Sequence, residues 1–281
     1  MTLKSIFIKG FRNLKELKLD FDPNVSLFAF TGKNGQGKTN LLEALYIASL
    51  SKSFRTSKNE DLIGFEEDFC RIQLTLSHSE RSEESPPKGE SLEVIVTRNP
   101  LEKALKVNGV RKSATDFIGH LPLVFFSPDD ISELEFSPSS RRRYLNVLLS
   151  QLDRDYLETL LRYNHLLQQR NALLRQIRDG KSKEEELDPW DEQLTALGIT
   201  LITKRALLIE SLYPLVNRFY KAFSGGIDEL NLGYVKSAEA ERLGEKLAAH
   251  HARDIATGVT NIGPHRDDLS FLFNEHDMQS F

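Results

Sequence analysis

The 281-residue sequence predicts an α/β protein, a mixed sheet with antiparallel hairpins and an inserted helical hairpin or bundle. Three observations lead there. Alternating apolar residues mark strands on both sides of a glycine-rich turn at residues 32–39. Two long stretches with apolar residues at three- and four-residue spacing follow, within residues 138–224. Mixed strand and helix patterning then returns over residues 225–281. The expected domains are therefore 1–137, 138–224 and 225–281.

Residues 3–8 and 17–21 read as a strand pair, and residues 25–30 (Val-Ser-Leu-Phe-Ala-Phe) as a buried strand. Residues 40–48 read as a helix, so Gly32-Lys33-Asn34-Gly35-Gln36-Gly37-Lys38-Thr39 falls at a strand-to-helix turn. That octapeptide is a P-loop. Gly32 and Gly37 let the main chain curl so that successive N–H groups point at phosphate oxygens, and the helix dipole adds to the attraction. Lys38 can reach β- and γ-phosphates, and the Thr39 hydroxyl can ligate Mg²⁺. The expected ligands are a nucleoside triphosphate, ATP, and Mg²⁺.

Downstream, residues 51–58 form a polar, basic loop, and residues 72–76 and 92–97 alternate as strands. The intervening residues 77–91 are rich in Ser, Glu and Pro and read as a disordered hairpin insertion. Asn108-Gly109 is the signature of a tight hairpin turn. Ser137-Pro138-Ser139-Ser140 starts a helix whose stripe runs through Leu145, Leu149, Leu152, Tyr156, Leu160, Tyr163, Leu167, Leu174 and Ile177 and ends at Asp179-Gly180. Asp188-Pro189 opens a second, with Asp at the N-cap and Pro at the first helical position. A short loop between two long helices predicts antiparallel packing. Phe223-Ser224-Gly225-Gly226 reads as the C-cap turn ending it. A strand over 230–235, a helix from Ala238 to about His251 and a strand pair around residues 269–273 complete the pattern.

Composition narrows the function classes. Lys+Arg at 37 against Asp+Glu at 41 gives a net charge of -4, which leaves room only for a local basic groove. One cysteine, Cys70, excludes an intrachain disulfide framework and fits a reducing, cytoplasmic setting. No apolar run approaches the length of a membrane span. Arg141-Arg142-Arg143 opens the long helix, where three cations oppose the helix dipole, and these are the candidate DNA phosphate contacts. No base-reading element is apparent, so shape and charge would govern DNA recognition.

Two segments carry a family resemblance. Ile6-Phe7-Ile8-Lys9-Gly10-Phe11-Arg12-Asn13 and the Asn34-Gly35-Gln36-Gly37-Lys38 form of the P-loop resemble ABC-type ATPase heads of the SMC class. Ser137-Pro138-Ser139-Ser140-Arg141-Arg142-Arg143-Tyr144, Gln169-Arg170-Asn171-Ala172-Leu173-Leu174, Trp190-Asp191-Glu192-Gln193-Leu194 and Gly263-Pro264-His265-Arg266-Asp267-Asp268-Leu269 narrow this to the RecF family. The resemblance implies an ATP-dependent homodimer that binds single-stranded and gapped double-stranded DNA. It implies work with RecR and RecO type partners, help in loading RecA, and no membrane. It also implies that Arg12 and Asn13 lie beside the nucleotide and Arg55 near nucleotide or DNA.

The family's signature helix and its Walker B strand ending in Asp-Glu are not found in the sequence, so ATP binding is expected and hydrolysis is left open. The alternative is another P-loop NTPase, a phosphotransferase or GTPase-like protein. It would use Asp129, after Leu123-Val124-Phe125-Phe126-Ser127-Pro128, as the Walker B acid.

Overall fold

The computed structural model describes residues 2–77, 89–127, 137–226, 229–273 and 276–277. It divides into two compact units, Met1–Phe125 and Phe126–Phe281. Among the described residues, no helix is long and apolar enough to cross a membrane.

In the first unit, β1 (Thr2–Phe11) and β2 (Leu14–Asp20) form the first hairpin, and α1 (Lys38–Leu50) follows the glycine-rich turn. Strands β3 (Phe69–Ser77), β4 (Gly89–Thr97), β5 (Glu102–Val107) and β6 (Val110–Lys112) then lead to the short α2 (Ala114–Phe117). The six strands run in the order β2-β1-β3-β4-β5-β6, each pair antiparallel. The register sets Ile6 opposite Leu74, Ile8 opposite Ile72, and Ile72 opposite Val94. Period-two alternation thus collects these side chains on one face. Leu41, Ala44, Ile47 and Ala48 of α1 share their core, and Phe117 closes it. Asn108 and Gly109 both adopt positive φ, 50° and 79°, as the Asn-Gly hairpin turn requires. Of the predicted insertion, residues 78–88 lie outside the described residues, while Ser77 and Gly89 to Ser91 belong to β3 and β4.

The strand expected over residues 25–30 is overturned. Residues 25–30 are neither a strand nor buried, and Leu27 is 83% exposed. A central strand needs ladder hydrogen bonds from neighbours, and among the described residues no strand pairs with this segment.

In the second unit, α3 (Pro138–Leu152), α4 (Arg154–Arg178) and α5 (Asp188–Ser224) precede β7 (Leu230–Val235). Short helices α6 (Leu243–Ala249) and α7 (His251–Thr257) lead to β8 (Asp268–Phe273) and β9 (His276–Asp277). The three strands form an antiparallel sheet in chain order. The first predicted helix is in fact two. Asp153 interrupts the apolar stripe, and its carboxylate accepts from the Tyr156 amide, capping α4, while Lys204 bonds it at 2.6 Å. Likewise Asp188 is not an N-cap. The chain enters α5 from a 3₁₀ turn, Glu184–Leu187, whose start is tied by the Lys183 amide donating to Glu186 Oε1. The C-cap reading holds, since Gly225 adopts φ 76° and its N–H bonds Lys221 O. Leu149, Tyr156, Tyr163, Leu194, Leu201 and Leu243 form the main core of this unit.

Candidate functional site

The glycine-rich turn is shaped by three positive φ angles: 147° at Gly32, 81° at Gly35 and 94° at Gly37. Gly37 is the N-cap of α1, and its carbonyl accepts the Leu41 amide at 2.9 Å. A Cβ there would come within 2.5 Å of Leu14 Cδ2, which would have to move, so the left-handed φ is what calls for glycine. Lys38 Nζ donates to Gly32 O at 2.6 Å and Lys33 O at 2.8 Å, which sets the ammonium inside the curl of the loop. Lys33, Asn34, Gly35, Gln36 and Thr39 are exposed around it.

The turn between β1 and β2 leans on this loop. Asn13 donates to Gly35 O at 2.6 Å, and Asn40 donates to Asn13 Oδ1 at 2.7 Å. Arg55 donates to Asn40 Oδ1 at 2.8 Å and to Glu43 Oε2 at 3.3 Å. Arg12, held in the left-handed region at φ 53°, grips Glu43 with two nitrogens, at 3.2 and 2.7 Å. Ser53 Oγ adds a bond of 2.5 Å to Glu43 Oε1. Arg12, Asn13 and Arg55 are thus brought together around the first turns of α1. Sequence reasoning missed Asn40, Glu43 and Ser53. The available signal was an acid, Glu43, between leucines and alanines of a helix that had to pack on a sheet.

The arginines of α3 separate. Arg141 is only 1% exposed and holds Asp268 through bonds of 2.8 and 2.6 Å, which leaves it no surface for a DNA phosphate. Its placement as a DNA contact is therefore corrected, because the charge is consumed inside the fold. Arg142 is partly buried and donates to the Asp267 carbonyl at 2.8 Å, whereas Arg143 is exposed. Desolvation lowers the Arg142 pKa from its usual value. Arg170, also buried, bonds Asp191 at 2.6 Å, and Asp254 and Thr260 at 2.8 Å each. Arg205 joins Tyr156, Asn146 and the Pro264 carbonyl. His265 bonds the Tyr163 hydroxyl at 2.8 Å, and burial pushes its pKa down to about 4. The motifs around residues 170, 191 and 265 are thus an interior polar network in the second unit.

The loop fits a triphosphate. It offers curled main chain, one ammonium in the concavity, and a hydroxyl at the first turn of a helix. For Mg²⁺ the exposed Thr39 hydroxyl supplies a hard oxygen, and among the described residues no cluster of three or more acids, histidines or cysteines competes for a metal. Asp129 lies outside the described residues.

Residues 1–203 match the family model described as AAA ATPase domain. The DNA replication and repair protein RecF of Lachnoclostridium phytofermentans is 36% identical over 282 residues, covering 100% of this chain and 76% of that protein. RecF of Moorella thermoacetica is 35% identical, over 100% of this chain and 73% of that protein. Among solved structures, the recombination mediator protein RecF–ATP of the RecFOR pathway aligns with a TM-score of 0.88 at 34% identity. That match covers 99% of this chain and 75% of the other. The corresponding RecF–ATPrS structure aligns with a TM-score of 0.89, also at 34% identity, over 100% of this chain and 76% of that one. With the P-loop ATPase fold and the phosphate loop both present, the chain belongs to the RecF family of DNA replication and repair proteins.

Proposed function

We propose that this chain binds Mg²⁺-ATP at the loop of residues 32–39 and acts on single-stranded and gapped DNA in recombinational repair. The observation that carries the reading is the position of Lys38, folded into the loop by the carbonyls of Gly32 and Lys33. An ammonium held there needs no reorganisation to meet an incoming phosphate. The loop N–H groups would hold phosphate oxygens, and Thr39 would hold Mg²⁺, which neutralises phosphate charge when bound. Asn13 fixes the loop through Gly35. A second reading, with Asp129 as a Walker B acid of a phosphotransferase or GTPase, has no comparable support among the relatives, which are RecF proteins.

Nucleotide would join two copies into a homodimer by contacting both, since a ligand stabilises only the state it binds better. The RecFOR pathway of the similar structures supports partners of the RecO and RecR type, with which this chain would help load RecA. For DNA, exposed Arg143 and partly exposed Arg142 are the phosphate contacts retained from the triplet. The test is ATP binding by calorimetry, with and without gapped DNA, comparing the parent with Lys38→Ala. Loss of at least tenfold in affinity supports the reading, and an unchanged affinity removes it.

A further inference from the structure

Glu43 is a fully buried acid on the helix that follows the loop, with a side chain 0% exposed. Its two oxygens accept from Arg12, Arg55 and Ser53 together. Arg12 is largely enclosed by this grip, but the Arg55 side chain is 46% exposed. Arg55 also bonds Asn40, the residue after Thr39, and Asn40 leads through Asn13 to the carbonyl of Gly35. One carboxylate therefore faces two guanidinium groups, leaving a local charge of about +1 beside the helix N-terminus before Lys38 is counted.

We propose that Glu43 is a positioning residue for nucleotide binding, fixing Arg12 and Arg55 so that the exposed face of Arg55 meets a polyphosphate held in the loop. This deepens the ATP reading and rests on it. The physical content is a sign. Removing a negative charge from beside a phosphate site strengthens anion binding if only field matters. Removing it weakens binding if the carboxylate's task is to aim Arg55. Glu43→Gln also turns one acceptor into an NH₂ donor, which opposes the guanidinium donors it must face.

The experiment measures ATP affinity by calorimetry for the full chain, its Glu43→Gln and Arg55→Ala variants and the double variant, each well below its melting temperature. The expected result is a loss of roughly tenfold for Glu43→Gln, with the double variant losing little more than Arg55→Ala alone. Equal or tighter binding by Glu43→Gln, or losses that simply multiply, would overturn the inference. If Glu43→Gln fails to fold, Arg55→Lys decides. It keeps the charge, but its single nitrogen would have to replace Nη1, which bonds both Asn40 and Glu43, and also meet the phosphate, so it should lose as much as Arg55→Ala, and parent-like binding would refute the proposal. Lys38→Ala separates the two levels. Unchanged binding there defeats the ATP reading, while a loss there with none in Glu43→Gln defeats only the role of Glu43.

Discussion

Arg12 and Glu43, 31 residues apart in the chain, meet through two hydrogen bonds of 3.2 and 2.7 Å that tie the first hairpin to the helix following the phosphate loop. Cutting this tie leaves a buried carboxylate with Arg55 and Ser53 as its remaining partners. Arg12→Ala should therefore destabilise the protein by about 1–3 kcal/mol, less than a wholly orphaned buried charge. Urea unfolding measures it, and a change below ~0.5 kcal/mol would contradict the picture of Glu43 as a hub.

Gly37→Ala places a methyl group 2.5 Å from Leu14 Cδ2 and 3.0 Å from Asn13 Oδ1, at φ 94°. Leu14 can swing aside, so the backbone term dominates, at about 1–2 kcal/mol. A second effect is expected on ligand. Loop distortion should lower ATP affinity by roughly tenfold or more, about 1.4 kcal/mol, in the same titration used for Lys38→Ala.

Arg141 and Arg143 stand two positions apart and should behave oppositely. Arg141→Ala leaves Asp268, 23% exposed, with the Leu269 amide as a remaining donor, and should cost about 1–3 kcal/mol, visible as a lowered melting temperature. Arg143→Ala should leave melting unchanged and reduce the salt dependence of DNA binding, with a slope smaller by about 1. Equal melting temperatures for the two variants would count against the assignment.

His265 sets a pH dependence. Its folded pKa, about 4, lies below the ordinary 6.5 because burial disfavours the imidazolium. Between those values the unfolded chain binds more protons than the folded one. Stability from this group is present above pH 6.5 and is lost as pH falls toward 4, by on the order of 3 kcal/mol in total. His265→Gln should flatten the unfolding free energy between pH 6.5 and 5 relative to the parent. A parent curve with no slope in excess of the variant's would refute it.

Much of this molecule was legible in residue order. The phosphate loop followed from glycine spacing and Lys38-Thr39, because local backbone demands are written locally. The strand alternation of Ile72 and Leu74 and the Asn108-Gly109 turn were read for the same reason. Residues 25–30 misled, since an apolar run signals burial only when partners exist to cover it. Within the arginine triplet, Arg141 is the one the fold buries. A charge count cannot distinguish a solvated guanidinium from Arg141, whose partner Asp268 is 127 residues away. Glu43 escaped for that reason as well, since its partners Arg12 and Ser53 come from opposite sides of the helix sequence.

The left-handed backbone at Arg12 has its own consequence. Glycine would sit there comfortably and carry no guanidinium; arginine anchors the acid only by holding its main chain in a mirror-image pose, at about 1–2 kcal/mol. Tension and tether therefore share a single residue. Arg12→Gly releases the first while severing the second, and should be about 1 kcal/mol more stable to urea unfolding than Arg12→Ala.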